Sequence, residues 1–205
     1  PIISLRDTPL YGWNIVVKRV TDIVLSITIL LTVSPLMIVI SFLVKATSIG
    51  PVFYRQERMG LDGKIFSMLK FRTMETQAEK ETGPVWATKG DSRKTIIGAF
   101  LRKTSMDELP QFFNVLKGDM SIVGPRPERE FFIQQFRSKI PKYMLRHKMK
   151  AGITGWAQIS GWRGNTSLEK RIEYDIYYIE NWSLRFDLEI MWLTIWSGFV
   201  DKHAY

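Results

Sequence analysis

The residues best placed to do chemistry lie in one run, Thr104-Ser105-Met106-Asp107-Glu108-Leu109-Pro110-Gln111. Asp107 and Glu108 are adjacent carboxylates. Like charges side by side repel, so one of them needs a cation, a metal or a proton nearby. Arg102 and Lys103 precede the pair, and Arg126 follows within Pro125-Arg126-Pro127, where two prolines restrict the backbone on either side of it. Ser105 and Glu108 have capping-box spacing. Pro110 favours a slightly later helix start with Asp107 as N-cap, because a proline in the first turn forfeits no intrahelical bond. On both readings Asp107 lies at a helix mouth, a place that favours anions, phosphate included. Carboxylates, arginines and a helix start together point to phosphate chemistry with a divalent metal. An ordinary acidic helix cap is the competing reading of the pair taken alone.

Further candidates surround this run. Lys70 and Arg72 alternate with Leu69 and Phe71, so the period of a strand puts both cations on one face, as phosphate or headgroup contacts or as a solvated face. Ala151-Gly-Ile-Thr-Gly-Trp-Ala-Gln158 and Gly161-Trp-Arg-Gly164 are glycine-spaced and bring Gln158 and Arg163. Glycine lets a backbone approach a ligand closely, which makes these two side chains candidate nucleotide contacts.

The elements that must position these groups can be read in outline. Val52–Arg55 and Ile65–Leu69 form a hairpin about Asp62-Gly63. Helices are expected over Asp91–Arg102, Leu109–Leu116, Glu128–Phe136, Pro141–Lys148 and Ser167–Asn181, with Phe112, Phe113 and Leu116 in the core. Glu75–Lys89 reads as a loop and Ser121–Gly124 as a short strand. A stripe at Leu188, Met191, Trp192, Ile195, Trp196 and Phe199 is either core or a membrane-lying face. The fold class is α+β, mostly helical, with a small antiparallel hairpin.

Composition sets the surroundings. Net charge is +9, from 29 basic and 20 acidic residues, which suits anionic lipid, a phosphorylated substrate or nucleic acid. There is no cysteine and there are only two histidines, which excludes disulfides and disfavours a zinc site. Seven tryptophans lean towards a membrane interface. Ile23 to Val44 carries no charge over 22 residues, enough for a helix of about 33 Å against a bilayer core of about 30 Å. That run argues against a nucleic-acid binder. Ser34-Pro35 interrupts it near its middle. Pro35 removes the bond to the Leu31 carbonyl, and Ser34 can cover the polarity so freed. Basic residues flank both ends, Lys18 and Arg19 before and Lys45, Arg55 and Arg58 after. Basic flanks on both sides fit a helix that enters the bilayer and returns as well as one that spans it. Residues 1–12 read as a linker, 13–46 as the membrane helix and 47–205 as the catalytic domain. The first residue is not methionine, so the chain reads as part of a longer protein.

Taken together, Ser34-Pro35, Lys70-Phe-Arg-Thr-Met74, Thr104–Gln111, Gly118–Pro127, Gly152–Gln158 and Tyr174–Ser183 resemble the bacterial sugar transferases, the monotopic polyprenyl-phosphate phosphoglycosyl transferases. The ending Phe199–Tyr205 resembles the undecaprenyl-phosphate glucose phosphotransferase branch. The resemblance implies transfer of a sugar-1-phosphate from a UDP-sugar to undecaprenyl phosphate, with UMP released. It implies Asp107 as nucleophile through a covalent phosphosugar intermediate, Glu108 beside it at a Mg2+ site, and Arg102 and Arg126 on phosphate groups. It also implies that the Ser34-Pro35 helix is re-entrant, making the protein monotopic, with its catalytic domain on the cytoplasmic face of the bacterial inner membrane and a homo-oligomer possible. The sugar itself is not readable from any residue.

Overall fold

A 35-residue helix, α1 (Trp13–Thr47), lies against a smaller mixed body. The computed structural model describes residues 8–76, 93–164 and 166–198. Most of the 1–12 linker, the 77–92 part of the expected loop with the start of the Asp91 helix, and Phe199 with the chain's ending fall outside those residues. After α1 come β1 (Phe53–Met59) and β2 (Ile65–Phe71), then α2 (Ile96–Lys103), α3 (Gln111–Lys117), β3 (Ser121–Val123), α4 (Glu130–Phe136), β4 (Gly152–Thr154), α5 (Trp156–Ile159), α6 (Leu168–Glu180) and α7 (Leu184–Gly198). Short 3-10 turns cover Leu61–Gly63, Met106–Glu108 and Tyr143–Lys148.

β1 and β2 form the expected antiparallel hairpin, longer than anticipated, with Tyr54 opposite Lys70 and Met59 opposite Ile65. A second pairing was not legible in sequence: β3 and β4 run parallel, Ser121 opposite Gly152 and Val123 opposite Thr154. Three residues per strand leave too short a pattern for period-2 reading.

α1 turns one stripe to the body along its whole length. Lys18, Asp22 and Ser26 are buried in its first half, and Met37, Ile40 and Val44 in its second. These are helical spacings on a single face. The second half packs on Phe71 and Leu101. Its remaining faces are exposed and apolar, Leu31, Ile38 and Phe42 among them. The helix continues past Pro35, and the Ser34 hydroxyl donates to the Leu31 carbonyl at 2.9 Å, the acceptor that proline cannot serve.

The first half is held by charge. Lys18 Nζ donates to Asp187 at 2.7 Å and to the Val123 carbonyl at 3.1 Å. Asp22 accepts from the Ser121 hydroxyl and the Ile122 amide, both at 3.0 Å. Arg19 donates to the Val115 and Leu116 carbonyls, satisfying the open end of α3. Gly118 then ends that helix in the left-handed region (φ 97°), which glycine adopts without penalty.

The main core gathers Met68, Phe112, Val115, Met120, Ile122, Tyr178 and Ile190 from strands, α3, α6 and α7. Phe112 is core as expected. Phe113 is exposed and Leu116 only half-buried, because α3 turns Val115 inward instead. Most of the described α7 stripe is outside the core: Met191 packs against it, but Leu188 is exposed and Trp192, Ile195 and Trp196 are each about two-thirds exposed (66%, 62%, 67%). Ile96 and Phe100 on α2 and Ile49 after α1 are exposed too. So much exposed apolar surface marks a face that water does not cover in use.

Candidate active site

The Asp107-Glu108 pair sits in the 3-10 turn Met106–Glu108, just before α3. Neither expected cap forms. Ser105 is left-handed (φ 55°) and makes no capping bond, and Pro110 itself occupies the N-cap position of α3, which begins at Gln111. The Phe112 and Phe113 amides of the first turn are taken by the Leu109 and Pro110 carbonyls, so the carboxylates are not used as caps.

Two distant segments converge on Glu108. Lys70, near the end of β2, reaches its Oε1 at 2.9 Å. Arg126 reaches the same oxygen at 2.8 Å. Arg126 also donates to Gln158 Oε1 at 2.8 Å, and Gln158 donates to the Ile153 carbonyl at 3.1 Å. Arg163 places both terminal nitrogens 3.2–3.3 Å from the Ser105 hydroxyl. Arg102 stands behind Asp107, with its Nε on the Thr73 hydroxyl at 2.9 Å.

The two acids are driven apart. Burial pushes the Glu108 carboxyl up, but Arg126, Lys70 and Arg163 together outweigh it and hold the group well below the usual range. Burial pushes Asp107 up and the Glu108 charge adds to it; Lys70, Arg102 and Arg126 only partly oppose this. Among the described residues no group donates a hydrogen bond to Asp107, and Glu108 Oε2 is likewise unbonded. One acid is clamped and charged; its neighbour is buried, unbonded and more basic. Environments that separate two carboxylates in this way separate their roles.

Of the residues singled out from sequence, Lys70, Asp107, Glu108, Arg126, Gln158 and Arg163 come together, with Arg102 at the edge. Arg72 does not join them. Its guanidinium is buried against the Ser48 and Ile49 carbonyls and the Ser48 hydroxyl, tying the exit of α1 to the end of β2. β2 ends at Phe71, yet the Arg72 amide still donates to the Val52 carbonyl at 2.9 Å in the same register, so it is capture by the α1 exit that separates the Arg72 guanidinium from Lys70. The glycines also act differently from expectation. A Cβ at Gly152 or Gly155 would collide with the backbone of Gly124, so what approaches them closely is the chain leading into Pro125-Arg126-Pro127.

A family model described as bacterial sugar transferase matches residues 13–201. The chain belongs to the bacterial sugar transferase family. It is 54% identical over 209 residues to the UDP-glucose:undecaprenyl-phosphate glucose-1-phosphate transferase of Klebsiella pneumoniae and 53% identical to the protein of that name from Escherichia coli strain K12. Both alignments cover all of this chain and 45% of the relative. It is 44% identical over 194 residues to the UDP-N-acetylgalactosamine-undecaprenyl-phosphate N-acetylgalactosaminephosphotransferase of Aeromonas hydrophila, across 94% of this chain and 45% of that protein. The chain thus spans less than half the length of these relatives.

Within this sugar transferase, sequence reasoning missed Arg58. The register puts Tyr54 opposite Lys70, so Tyr54, Gln56 and Arg58 share the Lys70 face of the hairpin. Arg58 donates to the Pro127 carbonyl at 3.2 Å, and Gln56 accepts from it at 2.6 Å. Burial pushes the Arg58 guanidinium down to about 10, with Arg126 and Arg129 adding to that and Glu128 opposing it. Period-2 reading from Tyr54 to Arg58 was the available signal.

The donor set suits Mg2+, a hard cation that binds through one or two carboxylates plus substrate phosphates and keeps several waters. Both Asp107 oxygens and Glu108 Oε2 are free of hydrogen bonds from described residues. No third acidic or histidine ligand joins them among the described residues, so the remaining ligands would be phosphate and water.

Proposed function

We propose that this chain transfers a sugar-1-phosphate from a UDP-sugar to undecaprenyl phosphate at a membrane surface. The observation that carries the reading is the division of labour at residues 107 and 108, an unbonded buried carboxylate beside one clamped by Lys70 and Arg126. An Asp107 oxygen attacks the phosphorus that bears the sugar. The bond from that phosphorus to the bridging oxygen breaks, UMP leaves with the electron pair, and the sugar phosphate is held as an acyl phosphate on Asp107. A phosphate oxygen of the lipid then attacks the same phosphorus, and the carboxylate is released. A covalent step of this kind splits one hard transfer into two.

Glu108 and Asp107 would hold Mg2+, which when bound neutralises charge on the phosphoryl oxygens. Arg126, Lys70 and Arg163 supply fixed positive charge in a partly dry site, where it acts most strongly on a developing oxyanion. Gln158 holds the Arg126 fork in plane. Arg102 adds to the field at Asp107.

The lipid acceptor is confined to the bilayer, so the nucleophile must lie near the headgroup plane. Both halves of α1 pack on the one body, and α1, α2 and α7 expose apolar residues. This supports a re-entrant α1 with the catalytic body on one face of the membrane, the cytoplasmic face of the inner membrane. Glucose is the favoured sugar, since the relatives of highest identity named above carry glucose in their names. Galactose or an N-acetylated sugar is the alternative, favoured by the Aeromonas relative.

Purified protein given Mg2+, undecaprenyl phosphate and a panel of UDP-sugars should release UMP most rapidly from UDP-glucose. Release without lipid acceptor should stop at one equivalent per enzyme, as the acyl phosphate accumulates. An Asp107→Asn variant that kept normal turnover would remove the nucleophile from this scheme.

A further inference from the structure

Asn114 lies six residues past Glu108 in α3, is nearly fully buried, and takes no part in the chemistry above. Its side-chain amide makes its two shortest hydrogen bonds to β2, with a longer one from Nδ2 to Asp119 Oδ2 at 3.4 Å. Its Oδ1 accepts from the Leu69 amide at 2.9 Å, and its Nδ2 donates to the Ser67 carbonyl at 2.8 Å. The carbonyl of one residue and the amide of the next but one point to the same side of a strand. β1 occupies one side of β2; on the other, the Asn114 amide stands where a residue of a third strand would be. The Asn114 backbone carbonyl accepts from the Gly118, Asp119 and Met120 amides, so the same residue closes the turn after α3.

Lys70 is the next residue after Leu69. A two-stranded hairpin is marginal by itself, so its position must be set from outside. Lys70 and Glu108 come from elements far apart in sequence, and a slip of β2 by a single residue would turn Lys70 to the opposite face.

We infer that Asn114 is a positioning residue for the transfer reaction: its amide fixes β2 against α3 and so holds the Lys70 ammonium on Glu108. The inference rests on the proposed reaction, in which Lys70 acts. Asparagine suits the task because it offers one donor and one acceptor on a short stem. Aspartate keeps the acceptor for Leu69 but sets an oxygen against the Ser67 carbonyl.

The test is a double-mutant cycle on UMP release, with Asn114→Asp and Asn114→Leu each made alone and with Lys70→Met. The single Asn114 variants are expected to lose about tenfold or more in kcat, with KM changed less than about twofold. On the Lys70→Met background they should cause little further loss, because the group they position is gone. Losses that multiply, or a wild-type kcat in Asn114→Asp, would overturn the inference. Should both variants fail to fold, hydrogen exchange on the unaltered protein decides. The Leu69 amide should be protected to the level of amides inside the β1–β2 ladder, and exchange as fast as an exposed edge amide would overturn the clamp. That measurement needs no turnover, so a parent protein that released no UMP from any UDP-sugar would overturn the reaction while the clamp was judged separately.

Discussion

Two buried clusters in this molecule use the same ingredients and do opposite things. In the first, Arg171 pairs with Glu128 at 2.8 Å and Arg146 with Asp175 at 2.7 Å. Arg171 also donates to the Trp162 and Gly164 carbonyls, and Arg146 to the Arg126 carbonyl. Each acid has an arginine within 2.8 Å, Arg58 stands 3.9 Å from Glu128 as well, and the cluster fastens α6 to the loop before α4. In the second, Asp107 and Glu108 feel four cations, Lys70, Arg102, Arg126 and Arg163. The acids are outnumbered, and among the described residues three carboxylate oxygens go unbonded. A cluster whose acids are each tied to a close arginine is scaffold; one that leaves acid oxygens open beside a surplus of cations is arranged for something not yet present. Phosphate groups and a divalent cation would fill both deficits. The contact between Arg146 and the Arg126 carbonyl shows the first cluster supporting the second.

The comparison breaks most sharply at Asp107. Asp107→Asn should cut kcat by about 10³-fold or more while leaving the thermal midpoint nearly unchanged, since no hydrogen bond is lost. Calorimetry beside UMP release checks both halves. Asp175→Ala should do the reverse, destabilising by about 3–5 kcal/mol because it strands the Arg146 charge in the interior. Turnover per folded molecule should stay within a few-fold, and adding Arg146→Met should recover much of the stability, as denaturant titration would read. Glu108→Gln should lower kcat/KM by about 10²-fold and move the Mg2+ titration to higher concentration, with a modest stability change. The smallest effect concerns His147, whose ring burial, aided by Arg146, pushes down to about 4. The unfolded chain takes a proton near 6.5 and the folded one only near 4, so stability is full above about 6.5 and falls with pH by at most about 1.4 kcal/mol per unit down to 4. His147→Asn should flatten that limb of the stability–pH profile. Asp175, raised by burial to about 6, slopes the other way between about 4 and 6, losing stability as pH rises.

Much of the site was legible in advance because its signals are local. Adjacent carboxylates, a proline-braced arginine and a lysine on a strand are visible as residue types at short spacing. The site's closure was not, because it depends on contacts between distant segments: Lys70 reaching Glu108, and Gln158 reaching Arg126. Arg72 was misread because alternation assigns a face and not the distant partner, here the Ser48 and Ile49 carbonyls, that captures a long side chain. The glycines were misread because glycine reports close approach without saying what approaches. In the fold, the long helix, the hairpin and the α6 helix capped by Ser167 followed from period and capping residues. The β3–β4 pairing did not, since nothing in a three-residue strand announces its partner.

The charges at the start of α1 have a practical meaning. Ile122 and Val123, on the strand that delivers Arg126, send their polar backbone groups to Asp22 and Lys18 across the boundary between helix and body. Severing the chain after Thr47 to obtain a water-soluble enzyme would strip away those partners and bare Met37, Ile40 and Val44's seat on Phe71 and Leu101. On the proposed function, the helix that would grip the lipid therefore also braces the strand leading to Arg126, and no cut would separate anchorage from catalysis.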